Sequence, residues 1–132
     1  MKNQVLSIEQ MKHLKELGVD TSKASLAWWK YKETTSDEEW VLSIPDKENS
    51  KWRQIPTFTL QDMLEMISGC FNHEYEFKFM YYLGTWYAKY MPMIDDDDYF
   101  INSNTNPLTC AYEALCWLTE KGYLKGGNNE NK

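Results

Sequence analysis

The stretch EYEFKFMYYL, Glu74–Leu83, decides the fold. Tyr75, Phe77, Phe79, Tyr81 and Leu83 alternate with Glu74, Glu76, Lys78, Met80 and Tyr82, and a period of two sustained this long is the mark of a strand with two distinct faces. A helix would scatter the same aromatics around its circumference. Gly84-Thr85 then supplies a turn, and Trp86, Ala88 and Tyr90 alternate with Tyr87, Lys89 and Met91 as a second strand. Pro92 closes it, because proline has no N–H to give a ladder. This antiparallel pair is the frame on which the other elements are placed.

Toward the N-terminus, Thr59 reads as the N-cap of a helix beginning at Leu60, with Asp62 at N3 and Phe58 facing Met63 as a hydrophobic staple. Leu60, Met63, Leu64 and Ile67 form its apolar stripe, and Gly69 suits its end. An earlier helix opens with Ser7 as N-cap and Gln10 at capping-box spacing, carries Ile8, Met11, Leu14 and Leu17 on one face, and stops at Gly18. Between the two helices, Ser25–Tyr31 and Trp40–Ile44 read as strands joined across the polar stretch Glu33–Glu39, and Pro45 ends the second. Asp46–Ile55 is charged and irregular, so it reads as a surface loop with Trp52 folding back onto the core.

Toward the C-terminus, Asp95–Asp98 and Asn102–Asn106 read as a long polar connection, with Tyr99–Ile101 offering a short edge strand. Asn106 as N-cap and Pro107 at N1 start a third helix that runs to Lys121 before Gly122. Its stripe is Leu108, Ala111, Tyr112, Leu115 and Leu118, and Tyr123 closes onto Leu118. The order α-β-β-α-β-β-α predicts an α+β two-layer sandwich, with a mostly antiparallel sheet of about four strands and three helices on one face. One domain over residues 1–124 and a mobile Gly/Asn-rich tail over 125–132 follow. The two α-β-β units are offset by about 52 residues, with too few residue matches to indicate duplication.

At 132 residues, 42% hydrophobic and 26% charged, the chain has the composition of one folded unit. No apolar run approaches the roughly 18 residues needed to cross a bilayer. Met1–Gln10 lacks the apolar core of a secretory signal, and three cysteines fit reduced thiols, so a cytoplasmic protein is expected. A net charge of −6 opposes ordinary nucleic-acid binding, which needs clustered cations to displace counterions.

The candidate chemistry is sparse. Cys70 and His73 stand at C-x-x-H spacing, and with Cys110 and Cys116 they match a zinc site in number only, since the last two fall on different faces of one helix. No flanking signature marks any cysteine as a nucleophile with His13 or His73 as base. Asp95, Asp96, Asp97 and Asp98 could hold a hard cation, but without the spacing of an EF-hand a solvated loop is the simpler reading. Glu38 with Glu39, or Glu74 with Glu76, would serve as an acid/base couple only if they faced a cleft. Phosphate-loop, dinucleotide, zinc-protease and nucleophile-elbow motifs are all absent, so no cofactor is implied and the reading leans away from an enzyme.

The aromatics say more. They make up 15% of the chain, and neighbouring aromatics on a strand must point to opposite faces. One of Trp28 and Trp29 should therefore leave the core, and the same holds for Tyr81 with Tyr82 and Trp86 with Tyr87. Trp28, Trp29, Trp40, Tyr82, Trp86 and Tyr87 are the candidate partner-binding set, on a sheet face turned away from the helices. The segments Leu6–Trp29, Pro56–Ile67 and Ala111–Leu124, under half the chain, resemble a group of small bacterial and prophage-type proteins of unassigned function. The resemblance implies a phage or mobile-element background and transfers no activity or site residue. Three readings follow: an interaction domain or homodimer using the aromatic face, a ligand-binding or catalytic domain with a pocket near Cys70 and His73, and an acidic inhibitor or DNA mimic.

Overall fold

The computed structural model describes residues 4–31, 40–69, 75–92 and 99–122, with the backbone alone at 75, 91, 92, 99 and 100. The elements are α1 (Ile8–Glu16), β1 (Leu26–Tyr31), β2 (Val41–Ser43), β3 (Trp52–Thr57), α2 (Leu60–Ser68), β4 (Tyr75–Tyr82), β5 (Thr85–Pro92), β6 (Tyr99–Asn104) and α3 (Pro107–Glu120). The fold is α+β with three helices, but the single sheet of about four strands is replaced by two antiparallel sheets of three. Their orders are β2-β1-β3 and β4-β5-β6.

Two strands are added to the expected four: β6, at the edge position offered by Tyr99–Ile101, and, within the expected loop, β3. Arg53, Gln54 and Pro56 break its apolar alternation, which is why it reads as loop in sequence. It occupies the edge beside β1, with Pro56 opposite Ala27, and an edge is where a strand tolerates proline. β6 runs three residues past Ile101, to Asn104. Its pairing with β5 slips where Ala88 faces Asn102 while Lys89 faces Phe100. Ile101 is thus the additional residue of a bulge, and it is buried in the core.

All three helix starts are fixed by the side chains that the sequence singles out. Ser7 and Gln10 form a reciprocal capping box, as do Thr59 and Asp62, and Asn106 accepts the N–H of Thr109. One hydrophobic cluster joins Leu6, Met11 and Leu14 to Phe58, Met63 and Ile67, to Ala88 and Ile101, and to Ala111, Leu115 and Leu118. α3 lies across β5 and β6, α2 packs on α3, and α1 meets the first sheet through β3. The second sheet therefore lies directly on the core, whereas the first enters that cluster only through the partly buried Ile55. The tail expected over 125–132 and the closing residue Tyr123 lie outside the described residues.

Candidate interaction surface

β4 and β5 pair residue for residue from Tyr75 opposite Pro92 to Tyr82 opposite Thr85, which leaves Leu83-Gly84 as a two-residue turn. Such a turn matches the right-handed twist of its strands when both central residues have positive φ. Gly84 has φ +84° without steric cost, but Leu83 has φ +50°. A left-handed backbone costs a residue with a Cβ about 1–2 kcal/mol, and glycine or asparagine would relieve it. Leu83 is also 83% exposed. An apolar side chain thus stands in solvent at a position that disfavours it sterically, and neither cost yields any burial within the protein.

Leu83 does not stand alone. Tyr81 is 58% exposed, Tyr82 60% and Met80 39%. Phe77, Phe79 and Tyr81 share a face with Trp86, Ala88 and Tyr90, and this face meets the core. Near the turn its aromatics pack on one another: Phe79 stacks on Trp86 with centroids 5.3 Å apart, and Tyr81 lies 5.1 Å from the same indole. The opposite face presents Met80 across from Tyr87 and Tyr82 across from Thr85, with Lys78 opposite Lys89 further along. The end of the hairpin therefore shows apolar surface on both faces and at its tip.

The partner-binding set of the sequence is divided by this geometry. Tyr82 lies on the outer face at the tip, Tyr87 is half-buried behind it, and Trp86 sits on the inner face under Tyr81. Trp28, Trp29 and Trp40 belong to the other sheet. Trp28 is only 8% exposed, and its indole N–H donates to the Leu6 carbonyl at 3.0 Å, an oxygen that also accepts the Thr57 hydroxyl at 2.7 Å. Trp29 is on the opposite face, edge-on to Trp52 at 6.0 Å, and its buried Nε1 has no acceptor among the described residues. Trp40 lies under two cations, with the Lys30 ammonium 5.7 Å and the Arg53 guanidinium 5.1 Å from its ring centre. Met80, Tyr81 and Leu83 are the surface residues that sequence reasoning missed. The signal available for them was the length of β4 and β5, which fixes Leu83 in the turn.

The two described thiols, Cys110 and Cys116, are both held in the protonated form. Burial pushes the Cys110 thiol up to about 11, and its Sγ lies 3.6 Å from the Trp86 carbonyl and 3.8 Å from that of Asn102. Cys116 is raised as well, again chiefly by burial. Both therefore stay protonated at neutral pH, whereas nucleophiles and metal ligands need the thiolate. No three His, Cys, Asp or Glu side chains gather around a common point among the described residues. Cys70, His73 and the run Asp95, Asp96, Asp97 and Asp98 lie outside those residues. No described helix is long and apolar enough to cross a membrane. No family model, curated protein or solved structure matches the chain.

Proposed function

We propose that the protein is a non-enzymatic interaction domain whose contact element is the end of the β4–β5 hairpin. The observation that carries this reading is Leu83, an exposed leucine held at positive φ between exposed Tyr82 and Gly84. Strained backbone that serves no internal packing points to a functional position. Tyrosine and leucine at a tip suit a partner with an apolar recess, since burying a leucine that is exposed in the free protein contributes about 1.5–3 kcal/mol. The partner is a protein, met in the cytoplasm in a phage or mobile-element setting; that setting rests on the resemblance of Leu6–Trp29, Pro56–Ile67 and Ala111–Leu124. Ordinary nucleic acid is disfavoured by the net charge of −6.

The test is photo-cross-linking in cells that naturally carry the protein. A benzophenone amino acid replaces Leu83 in one variant and Glu9, on exposed α1 surface, in another. Position 83 is expected to give a discrete covalent adduct that position 9 does not. Sedimentation of the purified chain then assigns the adduct to a second copy or to a foreign protein. No adduct from position 83, or equal labelling from both positions, would overturn the proposal.

A further inference from the structure

We infer that the recess between the end of α1, the Val19–Ala24 loop and the β1–β3 face binds a small organic carboxylate with an apolar body. The recess encloses about 530 Å³ and continues past Lys15, Thr21, Gln54 and Pro56 into a pocket of about 200 Å³ that reaches Lys12 and Met11. That size lies in the range of ordinary small-molecule sites.

Its floor is made by Val19, Ala24 and Ala27, which are buried, and two walls are the prolines Pro45 and Pro56. Proline brings carbon surface and no N–H, so these walls suit an alkyl or aryl group. The rim is held in place. Gln54 accepts the Asp46 N–H at 2.9 Å and donates to the Asp46 carbonyl at 2.7 Å and the Asn49 carbonyl at 3.3 Å, which pins the segment carrying Pro45 and Lys47 to β3. A preformed wall spares the ligand the ordering cost of building one.

The charge of the recess is opposite to that of the chain. Lys15 and Lys47 line the larger space and Lys12 and Lys15 the smaller. Among the described residues the one carboxylate in either lining is Asp20, whose Oδ1 accepts the Ser22 N–H at 3.0 Å and whose charge also acts on Lys47. Three ammonium groups against this one carboxylate leave the described lining net positive on a protein of net charge −6. An anionic head matches the lysines, and charge-assisted hydrogen bonds to them would fix its orientation while the body covers the proline walls. This site lies on the first sheet and α1, apart from the hairpin tip, and does not rest on the proposal made for the tip.

The experiment is an amide chemical-shift titration of the full chain with octanoate and benzoate, alongside their neutral amides octanamide and benzamide. The carboxylates are expected to shift the amides of Thr21, Ser22, Lys47 and Gln54, and the amides to bind more weakly. The double variant K15E/K47E should lose at least about tenfold in affinity with its melting temperature retained, and K15R/K47R should restore binding. Absence of shifts up to the solubility of the probes, equal binding of the neutral amides, an unchanged affinity in K15E/K47E, or shifts centred on Tyr82 and Leu83 would each overturn the inference.

Discussion

The two sheets are built from the same kind of residue and use it in opposite ways. In β2-β1-β3, Trp28 is buried with its N–H bonded to Leu6, Trp40 is covered by Lys30 and Arg53, and Trp52 joins Trp29 to Tyr31. Each of these rings packs against a neighbour, while the Trp29 Nε1 has no acceptor among the described residues. In β4-β5-β6, Tyr81, Tyr82 and Leu83 remain exposed even though the same sheet lies directly on the core. A high aromatic content is therefore no measure of interaction surface. Exposed apolar side chains alone do not separate the sheets, since Val41 is 51% and Ile44 71% exposed at β2; what distinguishes the second sheet is a cluster of them at one hairpin end, with Leu83 at a strained turn.

The contrast can be broken most forcefully at Trp28. Trp28→Ala removes a buried ring and leaves the Leu6 carbonyl with the Thr57 hydroxyl as its remaining side-chain donor. A loss of about 3–5 kcal/mol in urea unfolding is expected. Tyr82→Ala, on the exposed face, should change stability by no more than about 0.5 kcal/mol. Equal losses at the two positions would erase the distinction between sheets.

Alkaline unfolding probes the buried side of the second sheet through Cys110. Below pH 9 the thiol is protonated whether the chain is folded or not, so its full stabilising contribution is present. Above pH 9 the unfolded chain loses the proton while the folded one keeps it up to about 11, so stability falls across this window. Cys110→Ala should lessen the decline between pH 9 and 10 in denaturant titrations, leaving the share due to Cys116, whose thiol burial also raises. Burial also pushes Tyr112 up to about 12, which extends the loss to higher pH in both proteins.

A smaller effect is expected where the first sheet meets α2. Asp62 accepts the N–H of Thr59 within the capping box and, across the fold, both the N–H and the hydroxyl of Ser25 just before β1. Asp62→Ala should cost about 1–2 kcal/mol by chemical unfolding. Ser25→Ala should cost less, since the capping box survives it. If the two variants matched, the link to β1 and not the cap would carry the energy.

The helices were legible in the sequence because each start is a local matter: Ser7 with Gln10, Thr59 with Asp62, and Asn106 before Pro107 all lie within one turn. β4 and β5 were legible from unbroken alternation. The division into two sheets was not, because it turns on β1 pairing with β3, whose Arg53, Gln54 and Pro56 give no period to read. The hairpin turn read one residue late, at Gly84-Thr85, since leucine is a poor residue for positive φ and Leu83 fitted the strand pattern instead. That one-residue difference hid the candidate site. Tyr82 was within reach of the alternation rule, whereas the exposure of Tyr81 depends on where the covering helices end.

The central claim is that Leu83 is kept for contact at a cost to folding, and Leu83→Asn tests both parts in one variant. Asparagine accepts a left-handed backbone, so the unfolding free energy should rise by about 1 kcal/mol. A cross-linker placed at Tyr82 should at the same time lose the adduct that it forms beside the natural leucine. Lower stability in the variant, or an adduct that persists, would contradict the account.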